Sequence, residues 1–112
     1  MSPPGRLTRR AEFLRAAAKG RKAPMPGLVL QALPHHGEGP ARLGFTVTKK
    51  IGNAVIRNRT RRRLKEAARL VLADRPVSSV DLVLIGREAT AKRDFVALQQ
   101  DLRRALAKAG VP

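Results

Sequence analysis

The segment Val80-Asp81-Leu82-Val83-Leu84-Ile85-Gly86 is apolar on both of its alternating faces, with Asp81 as its one charged member. A strand of that kind has no side to turn to water and suits the centre of a sheet covered on both faces. A chain built around it folds in layers, with helices supplying the cover. The 112 residues are enough for one such domain with one modest core.

The remaining elements follow from periodicity and caps. Thr8 is a candidate cap for a first helix that runs through Phe13 and Leu14 and stops at Gly20, with Phe13, Leu14, Ala17 and Ala18 on one apolar face. Arg21 to Pro26 holds two prolines and reads as extended or looped. Residues 27–33 read as a strand, 34–40 as a turn or loop, and 42–48 as a second strand that pairs with the first as a hairpin. Alternation puts Leu43, Phe45 and Val47 on a core face. Gly44, Thr46, Thr48 and, if the strand runs on, Lys50 take a polar face open to a ligand. Asn53 caps a long helix over 54–73, which Pro76 helps to end. A last helix begins near Thr90 or Asp94 and ends by Ala109, with Gly110 just beyond it. Strand, long helix, strand implies a crossover between parallel neighbours. The expected fold is an α+β sandwich of three helices on a small mixed sheet, in the order αβββαβα. It forms one domain over 1–112, with 1–6 and 111–112 frayed.

Charge narrows the partner. Lys and Arg number 24 against 8 Asp and Glu, for a formal net charge of +16. A polyanion, most simply nucleic acid, is the natural partner of such a surface. Residues 49–69, KKIGNAVIRNRTRRRLKEAAR, hold nine of the cations and a single acid, Glu66. On a helix, Thr60, Leu64, Ala67, Ala68 and Val71 form the packing stripe. Asn58, Arg59, Arg62, Arg63, Lys65 and Arg69 spread over the rest, while Arg57 and Arg61 fall nearer the stripe's edge and lean toward the sheet. Like charges four apart recur at Arg57/Arg61, Arg59/Arg63, Arg61/Lys65 and Lys65/Arg69, and only Arg62/Glu66 opposes them. Each like pair costs ~0.2–0.5 kcal/mol in an isolated helix. A mere scaffold helix would mix in more Glu. Phosphates that complete the site explain the choice, and the planar fork of Arg suits them.

The frame Lys49-Lys50-Ile51-Gly52-Asn53-Ala54-Val55, followed by Arg57-Asn58-Arg59 and Arg61-Arg62-Arg63-Leu64-Lys65-Glu66, resembles the signature of the bacterial ribonuclease P protein subunit. Arg6-Leu7, Phe13, Gly20, the strand Leu43–Thr48 and the apolar strand near Leu82–Ile85 also fit that family, so the likeness covers roughly residues 6–109. The resemblance implies a ribonucleoprotein endoribonuclease that removes the 5′ leader of precursor tRNA. Its catalytic groups and Mg²⁺ would sit on the partner RNA, with no cofactor and no catalytic residue on the protein. It also implies a left-handed βαβ crossover, against the general right-handed preference. By position, Arg57, Asn58, Arg59, Arg62 and Lys65 match the motif that faces RNase P RNA, with Arg61, Arg63 and Arg69 as helpers. Phe13, Thr46, Thr48, Lys49 and Lys50 match the leader-binding cleft. Ala17 and Gln31 stand where other members often carry aromatics. The grip on the leader here therefore leans on Phe13, hydrogen bonds and charge.

Other chemistries find little support. There is no Cys, hence no disulfide framework, Cys-ligated zinc or thiol nucleophile. His35-His36 sit in a Gly/Pro loop with no further ligand, so no metal is expected there. Asp74, Asp81, Asp94 and Asp101 are scattered rather than clustered as a two-metal nuclease requires, with Asp94 in a first turn and Asp101 on an exposed helix face. Phe45 and Phe95 have core-like spacing, while Phe13 can serve core, cleft or both. Three Phe and no Tyr or Trp exclude a broad stacking platform. No apolar run approaches the ~20 residues of a membrane span, so a cytoplasmic protein is expected. The basic helix has too little base-reading variety beyond Asn58 and Arg for a DNA regulator. The alternative is a small structural RNA-binding protein of ribosomal type. Within the leading reading, the protein is a monomer in a 1:1 complex with RNA.

Overall fold

The computed structural model describes residues 4–35 and 39–112. Three helices, α1 (Arg10–Lys19), α2 (Ala54–Asp74) and α3 (Phe95–Lys108), pack on a mixed sheet. The strands are β1 (Gly5–Arg6), β2 (Arg21–Pro24), β3 (Leu28–Pro34), β4 (Arg42–Thr46) and β5 (Val80–Gly86), ordered β1-β4-β5-β3-β2. The doubly apolar strand is central, as its sequence requires. Its Leu82 and Leu84 join Leu28, Leu30, Leu64, Leu98, Leu102 and Leu106 in the main core under α2 and α3. Val83 faces the other way, onto Leu7, Ala16, Phe13 and Ile85 beneath α1. The two patches are the two faces of one sheet.

The expected hairpin of β3 with β4 does not form. β5 lies between them, antiparallel to β3 from Leu28↔Gly86 to Pro34↔Val80 and parallel to β4 from Arg42↔Asp81 to Thr46↔Ile85. Burial decides the order: an inserted β5 hides both its faces, whereas a β3–β4 pair would leave it at an edge. The hairpin instead joins β2 to β3, closed by the turn at Pro26-Gly27, with Met25 N–H donating to Leu28 O over 2.8 Å. Residues 21–24 thus form a strand, and 25–27 its turn. Gly5–Arg6, expected to be frayed, pair in parallel with Arg42–Leu43. Val111 at the other end is buried in the core, and its carbonyl accepts from Arg75 Nη2 at 2.6 Å.

The helix ends match their signals except at α1. Asn53 Oδ1 accepts from Ile56 N at 3.0 Å, Asp94 caps α3 through Ala97 N, and Gly110 takes φ +73. Thr8 does not cap α1. The cap position is Arg9, and the Glu12 carboxylate turns back to accept from the Arg9 and Thr8 N–H groups. The buried side of α1 also differs from expectation. Leu14 is 55% exposed and Ala17 and Ala18 face solvent, whereas Ala16 is buried and Phe13 half-buried. Helix α1 therefore meets the sheet along Phe13, Ala16 and Gly20, an i, i+3, i+7 line.

Candidate nucleic-acid interface

Helix α2 carries its cations outward because its other side is fully spent. Thr60, Leu64, Ala67, Ala68, Val71 and Leu72 are buried, and Thr60 Oγ1 donates to Ile56 O at 2.8 Å. The expected packing stripe is thus correct, with Leu72 added. Asn58, Arg59, Arg62, Lys65 and Arg69 are exposed, and Arg57, Arg61 and Arg63 are half-buried.

The cations differ in how far they are engaged. Among the described residues, the guanidinium groups of Arg59 and Arg62 meet no partner. Arg61 makes only a long contact to Asn58 Oδ1 at 3.3 Å, and Arg57 donates to Gly52 O at 3.1 Å. Arg69, not Arg62, takes the one acid: it forks onto Glu66, and this hydrogen-bonded charge pair holds the Glu66 carboxyl below its ordinary range. Arg63 departs most from the expectation of an RNA-facing side chain. It donates to Thr90 O at 2.9 Å and to Arg93 O, and lies 5.6 Å over the Phe95 ring. Its charge ties α2 to the start of α3.

The second expected set lies around β4. Gly44 is buried because the Phe13 ring rests on it: an added Cβ would sit 2.5 Å from Phe13 Cε1. Phe13 thus serves packing and also lines an open notch. Thr46 ends the strand half-buried, on the same face as Gly44. The strand does not run on to Lys50. Thr48 precedes a single 3₁₀ turn, Lys49–Ile51, which leaves Lys49 and Lys50 exposed beside the start of α2. A small notch of about 120 Å³ has Phe13 and Gly44 on one side and Arg61 and Lys65 on the other, while Thr46, Thr48, Lys49 and Lys50 do not line it.

An ion-pair chain fixes α1 beside this notch. Arg42 on β4 forks onto Asp81 with both bonds at 2.8 Å, and its third nitrogen reaches Glu12 at 2.5 Å. The Asp81 hydrogen bonds, opposed by burial and helped by the charges of Asp81 and Glu12, raise the Arg42 pKa. The Arg9 N–H, then the Thr8 N–H and the charge of Arg42, outweigh burial and lower that of Glu12. His35 Nε2 stands 4.0 Å from Asp81, while His36 lies outside the described residues. Asp101 is not on an exposed face. It is fully buried, accepting from Arg93 Nε at 2.5 Å and from Gly27 N at 2.9 Å. Neither buried carboxylate has the signature of a metal ligand, since each is matched to a guanidinium.

Comparison with known proteins decides the family. The Ribonuclease P family profile matches residues 1–110.

The chain belongs to the Ribonuclease P family.

A ribonuclease P protein component from Gluconacetobacter diazotrophicus is 65% identical over 106 residues, spanning 95% of this chain and 91% of the relative. One from Paramagnetospirillum magneticum is 49% identical, spanning 94% and 82%. Among solved structures, the RNase P protein of Staphylococcus aureus superposes with a TM-score of 0.80 at 27% identity, covering 97% of this chain and 98% of that one. The Thermotoga maritima RNase P protein gives 0.77 at 26%, covering 92% and 96%. These likenesses extend the family assignment over nearly the whole layered fold. Within this member of the Ribonuclease P family, sequence alone does not single out Arg42 or Glu12. Their roles depend on which strands become neighbours.

Proposed function

We propose that this chain is the protein component of ribonuclease P and works in tRNA processing as part of an endoribonuclease complex. It binds RNase P RNA through the outward face of α2, with Arg59 and Arg62 as the principal phosphate contacts and Arg57, Asn58, Arg61 and Lys65 beside them. It holds the 5′ leader of precursor tRNA along β4, on Phe13 at the notch and on Thr46, Thr48, Lys49 and Lys50 further along the chain toward α2. The cutting groups and Mg²⁺ belong to the RNA, and the protein acts as a cytoplasmic monomer in a 1:1 complex.

The observation that carries this reading is the state of Arg59 and Arg62. Among the described residues, these two guanidinium groups stand free on a helix whose opposite side is buried, in a chain of net charge +16. Their repulsion is relieved when phosphates arrive. The assignment of catalysis to RNA is supported by Asp81 and Asp101, which are committed to Arg42 and Arg93. A two-metal nuclease needs carboxylates free to converge on its ions. Among the described residues, no helix is long and apolar enough to cross a membrane.

Reconstitution tests the proposal. Purified protein and its cognate RNA, mixed at low Mg²⁺, should cut precursor tRNA at the 5′ end of the mature sequence, where neither does so alone. Cleavage by the protein without RNA would refute the division of labour. Copurification with ribosomal RNA in place of one dominant RNA would favour the ribosomal alternative.

A further inference from the structure

A second depression lies on the far side of β4 from Phe13. It is a crevice of about 560 Å³ between the β1–β4 edge and α2. Leu43, Phe45, Ala68 and Leu72 are among its lining residues and give it an apolar floor, and Arg6 and Arg69 stand at its rim as exposed cations. Lys65 reaches over the Phe45 ring, with Nζ 5.9 Å from the centroid. Such a combination of an aromatic floor and a cationic rim matches a nucleobase with phosphates on either side. An aliphatic ligand would leave the Arg6 charge at the rim unanswered, since among the described residues only Arg69 of the two rim guanidiniums is already paired, with Glu66, and a bare anion would leave the floor wet.

The crevice is also continuous with the notch described above. Arg6, Leu43, Phe45 and Lys65 line both. This continuity exists because β1 pairs only with Arg42 and Leu43, so the outer edge of β4 from Gly44 onward carries no strand among the described residues. A strand of RNA passing Phe13 can therefore cross the open edge and descend on the other face.

We propose that this crevice is a binding site for one unstacked nucleotide of the precursor's 5′ leader, its base lodged on Phe45 and Leu72 and its phosphates on Arg6 and Arg69. The inference rests on the leader-binding reading given above and extends it to a face of the sheet outside the Phe13 set. The leader is the favoured occupant because its bases are single-stranded, whereas those of a folded catalytic RNA are largely paired or stacked. Arg69 thereby changes role, from a helper on the helix surface to a rim residue that shares its guanidinium between Glu66 and the incoming phosphate.

The chain has no Cys, so Ala73→Cys places a single thiol on the exposed wall of the crevice. In the reconstituted holoenzyme, an azidophenacyl group on that thiol should crosslink to leader nucleotides of precursor tRNA. The same group on the thiol of Val55→Cys, an exposed residue beside the α2 cations that carries no proposed contact, should crosslink to RNase P RNA. Independently, Ala73→Trp, which fills the mouth without entering the core, should weaken binding of leader-bearing precursor about tenfold and leave mature tRNA unaffected. Arg6→Ala should weaken precursor binding several-fold and lower its salt slope by about 0.7. If the probe on α2 in the Val55→Cys variant reaches RNase P RNA while the probe in the crevice reaches no leader nucleotide, or reaches only that RNA, the crevice assignment is wrong and the general reading stands. If the α2 probe reaches no RNA and the holoenzyme does not assemble, both fall together.

Discussion

Arg59 and Arg63 are four residues apart on one helix and have opposite fates. Arg59 is free among the described residues, while Arg63 is bonded to the carbonyls of Thr90 and Arg93 and stacked on Phe95. A helical wheel assigns both to the polar surface, because it knows nothing of the α3 segment that arrives beside Arg63. The two should therefore fail differently when truncated. Arg59→Ala and Arg62→Ala should each leave the melting temperature nearly unchanged and reduce the log–log salt slope of RNA binding by ~0.7–0.9, read by filter binding across a salt series. Arg63→Ala should cost about 2–3 kcal/mol of stability in urea unfolding, since two carbonyls lose a charged donor. Its salt slope should stay with the parent's.

At the scale of elements, helix α1 is held by a clamp of two parts. Its Phe13 ring needs a residue with no side chain beneath it, and Gly44 supplies that gap. Gly44→Val should push α1 off the sheet, costing about 1–3 kcal/mol as an overpacked contact does. It should raise the Kd for leader-bearing precursor more than for mature tRNA in a direct binding comparison. The Glu12–Arg42 contact adds a pH dependence. The folded Glu12 carboxyl is held below its ordinary value of 4.5, first by the Arg9 N–H. Its stabilising effect is thus complete above that ordinary value and is lost as pH falls through the folded one. Glu12→Gln should melt below the parent at pH 6, and the gap should close toward pH 3 in thermal unfolding followed by circular dichroism.

Long elements with clear caps were legible in the sequence at this scale. Asn53, Asp94 and Gly110 mark the ends of α2 and α3 within a residue, and the 80–86 strand has its expected bounds. The short helix α1 was less so. Phe13, Leu14, Ala17 and Ala18 form a good apolar face on a wheel, yet the sheet takes Phe13, whose ring rests on the bare Gly44, and Ala16, which is fully buried beside it. Lateral order was not legible either. Alternation tells which face of β3 and β4 is apolar but not which strand lies beside them, so the insertion of β5 between them emerges only from global burial. The outward placement of Arg59, Arg62 and Lys65 on α2 was readable from charge and periodicity, whereas the inward bonds of Arg63 and the pairing of Arg69 with Glu66 were not. The Arg42–Glu12–Asp81 chain and the crevice were not, since both depend on that insertion.

Across the whole molecule, a net charge of +16 on 112 residues works against the compact state. The free protein should therefore melt higher in 0.5 M than in 0.05 M NaCl, roughly the span over which the Debye length falls below the spacing of neighbouring surface charges and screening weakens the repulsion. Adding the cognate RNA at low salt should raise the melting temperature further, because binding to the folded form draws the equilibrium toward it. Scanning calorimetry at both salt levels, with and without RNA, checks both. A melting temperature that fell with salt in the free protein would mean that its ion pairs, such as Arg42–Asp81 and Arg93–Asp101, outweigh its repulsions.

Helix α2 is also the link that carries the chain from β4 to the neighbouring β5. The charged rod is thus threaded into the frame rather than laid upon it, and cannot swing or slide without straining the pairing of β4 with β5. Variation that retunes the grip on nucleic acid is confined to swapping the side chains that point outward. Repositioning the rod itself would require a different protein.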